Sequence, residues 1–258
     1  MNLPSPRRFG ELRRGLPVLA AVVLCASLLL PMWTIEVHAV QYPDTVLRLQ
    51  LYAYPRITGD YVEMANLNKY IGFYYPDPVY WQPNYPVHER AVDVPEWSLG
   101  PLAFVGVAAL SVFVAVAPTD RKLRRGLTYQ LAGTVAVFTA MLADIQYRLY
   151  QAGHTLDPDA PVMGVDGFTP PLWGKYEVAN ITSYSRLGLG AYLAALSVGL
   201  LVVAFYYRDT TTRFGDLPTE AAAVPGRVRA TVGGVLPGTG GGDGEESRDR
   251  PANRSEGR

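Results

Sequence analysis

Four stretches of the chain contain no Asp, Glu, Lys or Arg: Gly15 to Ile35, Ser98 to Ala117, Gly126 to Ala143 and Leu187 to Tyr207. A hydrocarbon core about 30 Å thick is crossed by roughly 20 helical residues rising 1.5 Å each. A soluble helix needs a wet face, so a soluble chain would interrupt such runs with charge every turn or two. The pattern predicts an all-α integral membrane protein, a bundle of four transmembrane helices with two long outer loops. Between the first two runs the period changes. Leu47, Leu49, Leu51 and Ala53 alternate with Arg48, Gln50, Tyr52 and Tyr54, and period two predicts a short β element with one covered face. The expected order is an N-terminal segment (1–14), helix 15–35, first loop 36–97, helix 98–117, link 118–125, helix 126–143, second loop 144–186, helix 187–207 and tail 208–258.

Charge sets the orientation. The 258 residues carry 23 basic and 23 acidic side chains, so no global field points to nucleic acid. Locally, Arg7, Arg8, Arg13 and Arg14 precede the first run, Arg121, Lys122, Arg124 and Arg125 fill the short link, and Arg208 and Arg213 open the tail. Basic clusters stay inside, so both termini and the link are expected in the cytoplasm and the two long loops outside. A cleaved signal peptide also suits the first run, with Val37-His38-Ala39 as its small-residue site. The run is longer than a signal core of about 7 to 15 residues, however, and ends at Pro31-Met32-Trp33 with an interfacial tryptophan.

Trp97, Tyr147, Tyr150, Tyr184, Tyr206 and Tyr207 mark the other boundaries as aromatic belts do. Ala132, Ala136 and Ala140 recur every fourth residue, as do Gly190, Ala194 and Ala195, Gly199; small residues at that spacing let helices approach closely. Asp144 continues the alanine stripe, with Arg148 one turn on. This expected ion pair is either a functional ionisable site or a salt bridge pinning the helix end. The tail beyond Glu220 is rich in Gly and charge and is expected to be disordered. The single Cys25 excludes an intramolecular disulfide.

The candidate chemistry lies in the loops. His38, His88 and His154, with Met32, Met64 and Met163, fall on the side expected to be outer, and imidazole and thioether suit copper. No pair has ligand spacing. His154 is the candidate ligand, with Asp157 and Asp159 nearby to orient its ring; turn formation by Gly153 and Asp157-Pro158 accounts for the same residues. Copper is a possible cofactor and no other is expected. Tyr70, Phe73, Tyr74, Tyr75, Tyr80, Trp81 and Tyr85 interleave with Pro76, Pro78, Pro83 and Pro86, as a docking surface or as a stiffened self-packing loop. Asn180-Ile181-Thr182 matches a glycosylation acceptor. The chain has no nucleotide-binding glycine loop, no haem-attachment motif and no triad order, and the predicted spans hold no histidine for axial ligation. No enzyme is expected.

Gln41-Tyr42-Pro43-Asp44, Ile57-Thr58-Gly59-Asp60 and Asn66-Leu67-Asn68-Lys69-Tyr70-Ile71-Gly72, followed by Gly153-His154-Thr155-Leu156-Asp157-Pro158, Ala160-Pro161, Phe168-Thr169-Pro170-Pro171-Leu172-Trp173-Gly174 and Asn180-Ile181-Thr182, together resemble the NosB-type multi-spanning membrane proteins encoded beside nitrous oxide reductase. The likeness runs from about Pro31 to the start of the fourth run. It implies a role in maturing, or supplying electrons to, an extracytoplasmic copper enzyme of denitrification. Where that family commonly has Asn-His-Tyr-Ile-Gly-Met, this chain has Asn68-Lys69-Tyr70-Ile71-Gly72-Phe73, so the His and Met that would bind copper are replaced.

Three readings of function follow. The first is a non-catalytic accessory protein whose partner surface comprises Asn66, Asn68, Tyr70, His154, Asp157, Pro170, Pro171 and Trp173, the partner being a membrane or extracytoplasmic protein of the copper-enzyme system. The second is a small transporter or permease subunit using Asp144, although the runs offer few polar groups for a path. The third is a quinol-linked oxidoreductase component with Asp144, Arg148 and His154 as a proton site.

Overall fold

The computed structural model describes residues 9–74, 89, 91–162, 164 and 166–216. Arg7 and Arg8, the aromatic and proline segment from Tyr75 to Pro86, His88, Met163 and the tail beyond Glu220 lie outside the described residues. Helix α1 covers Leu12–Ser27, α2 Tyr61–Lys69, α3 Gly100–Ala115, α4 Asp120–His154 and α5 Leu189–Tyr206, with a 3₁₀ turn at Pro95–Leu99 leading into α3. Three helical stretches, Pro95–Ala115, Asp120–His154 and Leu189–Asp209, are long and apolar enough to cross a membrane.

The architecture corrects the all-α expectation. Strands β1 (Trp33–Ala39), β2 (Leu47–Leu51), β3 (Ile57–Gly59), β4 (Gly174–Val178) and β5 (Ile181–Leu187) form one antiparallel sheet in the order β3-β2-β1-β5-β4. The first apolar run is therefore not a helix to Ile35. It is helical to Ser27, tightens through Leu28, Leu29 and Leu30, whose N–H groups reach back three residues, and becomes a strand at Trp33. Hydropathy measures apolarity, which a buried strand shares with a helix. The separating signals are Pro31, which disfavours helix before it, and the alternation of Trp33, Ile35, Val37 and Ala39 with Thr34, Glu36 and His38.

Register places Ile35 opposite Leu49 on one side and Ser185 on the other. The covered face thus carries Ile35, Val37, Ala39, Leu47, Leu49, Val178 and Ile181, against which Tyr61, Met64 and Leu67 of α2, then Ile71 and Phe73, are buried together with Ala152 near the end of α4. Burying such side chains contributes about 1.5–3 kcal/mol each. At about 1.5 Å per residue, the 35-residue α4 is about 52 Å long. It is therefore longer than a span requires, and its last turns belong to the sheet core.

In the bundle α1 packs on α3 and α5, and α4 packs on α3 and α5, so α1 and α4 stand diagonally. Gly190 permits a close approach: a Cβ there would lie 2.7 Å from the Leu30 carbonyl oxygen and 2.8 Å from that of Ser27. Ser197 Oγ donates to the Ala20 carbonyl across the same seam, 2.9 Å. On α4 the seam uses Leu123, Leu127, Gln130 and Thr134, while Ala132, Ala136 and Ala140 are exposed. Gln130 Nε2 donates to Ser111 Oγ at 2.8 Å and to the Val107 carbonyl at 3.1 Å.

At the end of the bundle opposite the sheet, Arg14 is fully buried. Its Nη1 donates to the Ala115 and Ala117 carbonyls at 2.7 and 2.9 Å, satisfying the C-terminus of α3. Arg13 bonds Glu11 at 2.9 Å and Asp120 at 3.1 Å. Two of the arginines that suggested orientation thus also lock helix ends together.

Candidate functional site

The site is built where the segment after α2 meets the segment after α4. The Asn68 carbonyl accepts from the N–H groups of Ile71 and Phe73, both at 3.1 Å, which ends α2 in a tight curl. Gly72 then takes φ +74, and a Cβ on it would lie 2.7 Å from Asp157 N. Only glycine combines that dihedral with that approach. The Asp157 N–H donates to the Gly72 carbonyl at 3.0 Å, and the Val162 N–H to the Tyr70 carbonyl at 3.0 Å. The Asp157 carboxylate accepts from the Asp159 N–H at 3.1 Å and from the Tyr74 hydroxyl at 3.2 Å. Asp157 is the hub of the junction.

A second contact seats the Phe168–Trp173 segment on the end of α4. The Phe168 N–H donates to the Gly153 carbonyl at 3.0 Å, and a Cβ on Gly153 would fall 1.8 Å from the Phe168 oxygen. Phe73, Phe168 and Tyr176 form a ladder with ring centroids 5.6 and 6.1 Å apart. The Tyr176 phenol, near Ser183, is pushed up in pKa by burial.

The eight residues singled out in sequence divide by role. Asn68 and Pro170 are buried, Asp157 and Pro171 are half-buried, and Asn66, Tyr70, His154 and Trp173 are exposed. Trp173, 74% exposed, is the largest apolar group presented there. The His154 ring stacks on Tyr150 with centroids 4.0 Å apart, and its Nδ1 lies 2.8 Å from the Tyr150 carbonyl oxygen. A carbonyl only accepts, so the contact places a proton on Nδ1 and leaves Nε2 as the ring nitrogen without a partner in this contact. His154 lines a groove of about 640 Å³ with Ala91, Val92, Thr155, Leu156 and Pro158. Chemically it can accept a hydrogen bond or act as a single nitrogen ligand. Among the described residues no group of three or more His, Cys, Asp or Glu is placed to hold a metal ion. Met64 is buried under the sheet and Met32 packs beside the bundle core.

The acid–base cluster has a member that sequence reasoning missed. Arg148 pairs with Glu96 of the Pro95–Leu99 turn and bonds Gln151 Oε1 at 3.0 Å, while Asp144 lies against the same Glu96. Spacing along one helix reveals Asp144 and Arg148 but not an acid 52 residues away in sequence. The open sheet face was equally hidden. There Glu36 accepts from Arg48 at 2.7 Å and lies 3.5 Å from Arg186, and His38 meets Tyr184 edge-on at 5.5 Å. Its only sequence signal is the polar half of the alternation in β1 and β2. No family model, curated protein or solved structure matches this chain.

Proposed function

We propose that the chain is a multi-pass protein of the cell membrane and a non-catalytic accessory subunit, whose sheet domain stands outside and docks a protein of the nitrous oxide reductase system. In this reading α1 is a short fourth span, its apolar stretch continued by the turn through Leu30, and both termini are cytoplasmic. The basic cluster Arg121, Lys122, Arg124 and Arg125 in the first turns of α4 supports that orientation, since it lies at the end of the bundle opposite the sheet.

The observation that carries the docking role is the convergence of the resembling motifs. Asn66–Gly72 and Gly153–Pro158 come from different loops, are fastened through Gly72 and Asp157, and leave Asn66, Tyr70 and His154 exposed around that junction. Trp173 is a further exposed group, 74% accessible, and is an aromatic of the type that dominates interface energetics. Affinity purification of the tagged full-length chain from its own membranes is the test. Enrichment of a component of the copper-enzyme system, lost in Trp173→Ala at unchanged abundance, is expected; recovery of no such component overturns the reading.

A further inference from the structure

The β4–β5 hairpin ends in a two-residue turn, Ala179-Asn180, closed by the Val178–Ile181 pair. Because β5 runs directly into α5, this turn is the end of the hairpin farthest from the bundle along the chain. Asn180 is exposed, Ile181 is buried on the covered face, and Thr182 lies on the open face, where its Oγ1 donates to Glu177 Oε1 at 3.4 Å. Period two therefore plants Ile181 as the anchor of Asn180-Ile181-Thr182 and leaves the amide and the hydroxyl on the accessible side. An asparagine two residues before a threonine is the acceptor pattern for N-glycosylation when it reaches the side of the membrane where the transferase works.

We infer that Asn180 is a glycosylation site, its acceptor amide displayed at the tip of the sheet domain, and that the donor is a polyisoprenyl-phosphate-linked oligosaccharide. In the transfer the Asn180 Nδ2 forms a bond to C1 of the first sugar. The bond from C1 to the lipid phosphate oxygen breaks, its electron pair leaves with the phosphate, and one amide proton is lost to a base of the transferase. The inference rests on the outward orientation proposed above. The sequence carries an internal control in Asn253-Arg254-Ser255, a second acceptor pattern in the tail, expected on the other side.

Peptide mass mapping of the full chain isolated from its own host is the experiment, with Asn180→Gln, Thr182→Ser and Thr182→Val expressed in that host. The expected result is a sugar mass on the Asn180 peptide, lost in Asn180→Gln and Thr182→Val and retained in Thr182→Ser, with Asn253 unmodified. Modification of Asn253 alone overturns the orientation and this site together. An unmodified Asn180, with an engineered cysteine at Asp166 still labelled from outside, overturns the glycan and leaves the orientation standing.

Discussion

At the scale of single residues, two positions carry backbone or burial costs that substitution exposes. Ala179 holds φ at 50° in the β4–β5 turn, a conformation that costs a residue with a Cβ and is free for glycine. Ala179→Gly is expected to raise stability by up to about 1 kcal/mol, read from unfolding of the detergent-solubilised protein. Arg14 is the opposite case, since its guanidinium satisfies two carbonyls at the end of α3 from a fully buried position. Arg14→Ala strands those acceptors and leaves a cavity, and a loss of about 3 kcal/mol or more is expected in the same assay. Tyr176 gives the fold a pH edge. Its folded pKa lies above the unfolded value of about 10, so its contribution is complete below that pH and is lost as pH rises through the folded pKa. Tyr176→Phe is expected to flatten the alkaline limb of the stability profile; an unchanged limb refutes the assignment.

Among the elements, what the sequence disclosed depended on whether the buried face was apolar. Three of the four uncharged runs fall in α3, α4 and α5 because the exposed apolar and the packed positions of these helices alike exclude charge, and the leucines of β2 announce a strand because each buried side chain is large. β5 is silent: its covered positions include Ser183 and Ser185, both buried, so no hydrophobic period is written there. β1 was masked differently, because its apolar residues continue those of α1 without a charge between them. The junction motifs were visible as glycine, proline and aspartate clusters expected on one surface, but the residue pairs that join them were not, since contacts between residues 72 and 157 follow from topology alone. Gly153→Ala tests the neighbouring contact, between Phe168 and the end of α4. Its Cβ collides with the Phe168 carbonyl, so the Phe168–Trp173 segment is expected to lift from α4 and become sensitive to limited proteolysis while the helical circular dichroism is retained; unchanged protection means the contact is dispensable.

For the whole molecule, the proposed orientation makes a direct labelling prediction. In a Cys25→Ser background, a cysteine at Asp166 or Asp93 is expected to react with membrane-impermeant thiol reagent in whole cells, and one at Thr119 only after permeabilisation; the reverse pattern inverts the protein. The sheet imposes a further consequence, on biogenesis. β1 is paired on one side by β2, which follows it closely, and on the other by β5, with Trp33 opposite Leu187. A nascent chain therefore carries β1 with one bare edge while α2, α3 and α4 are made, and the loop-closure cost of joining such distant strands is met only when β5 emerges. Since β5 continues almost at once into α5, closing the sheet and packing the last helix against α1 and α4 become one late event, and a ribosome halted after α4 leaves a chain with an unpaired strand edge, the kind of surface that templates aggregation.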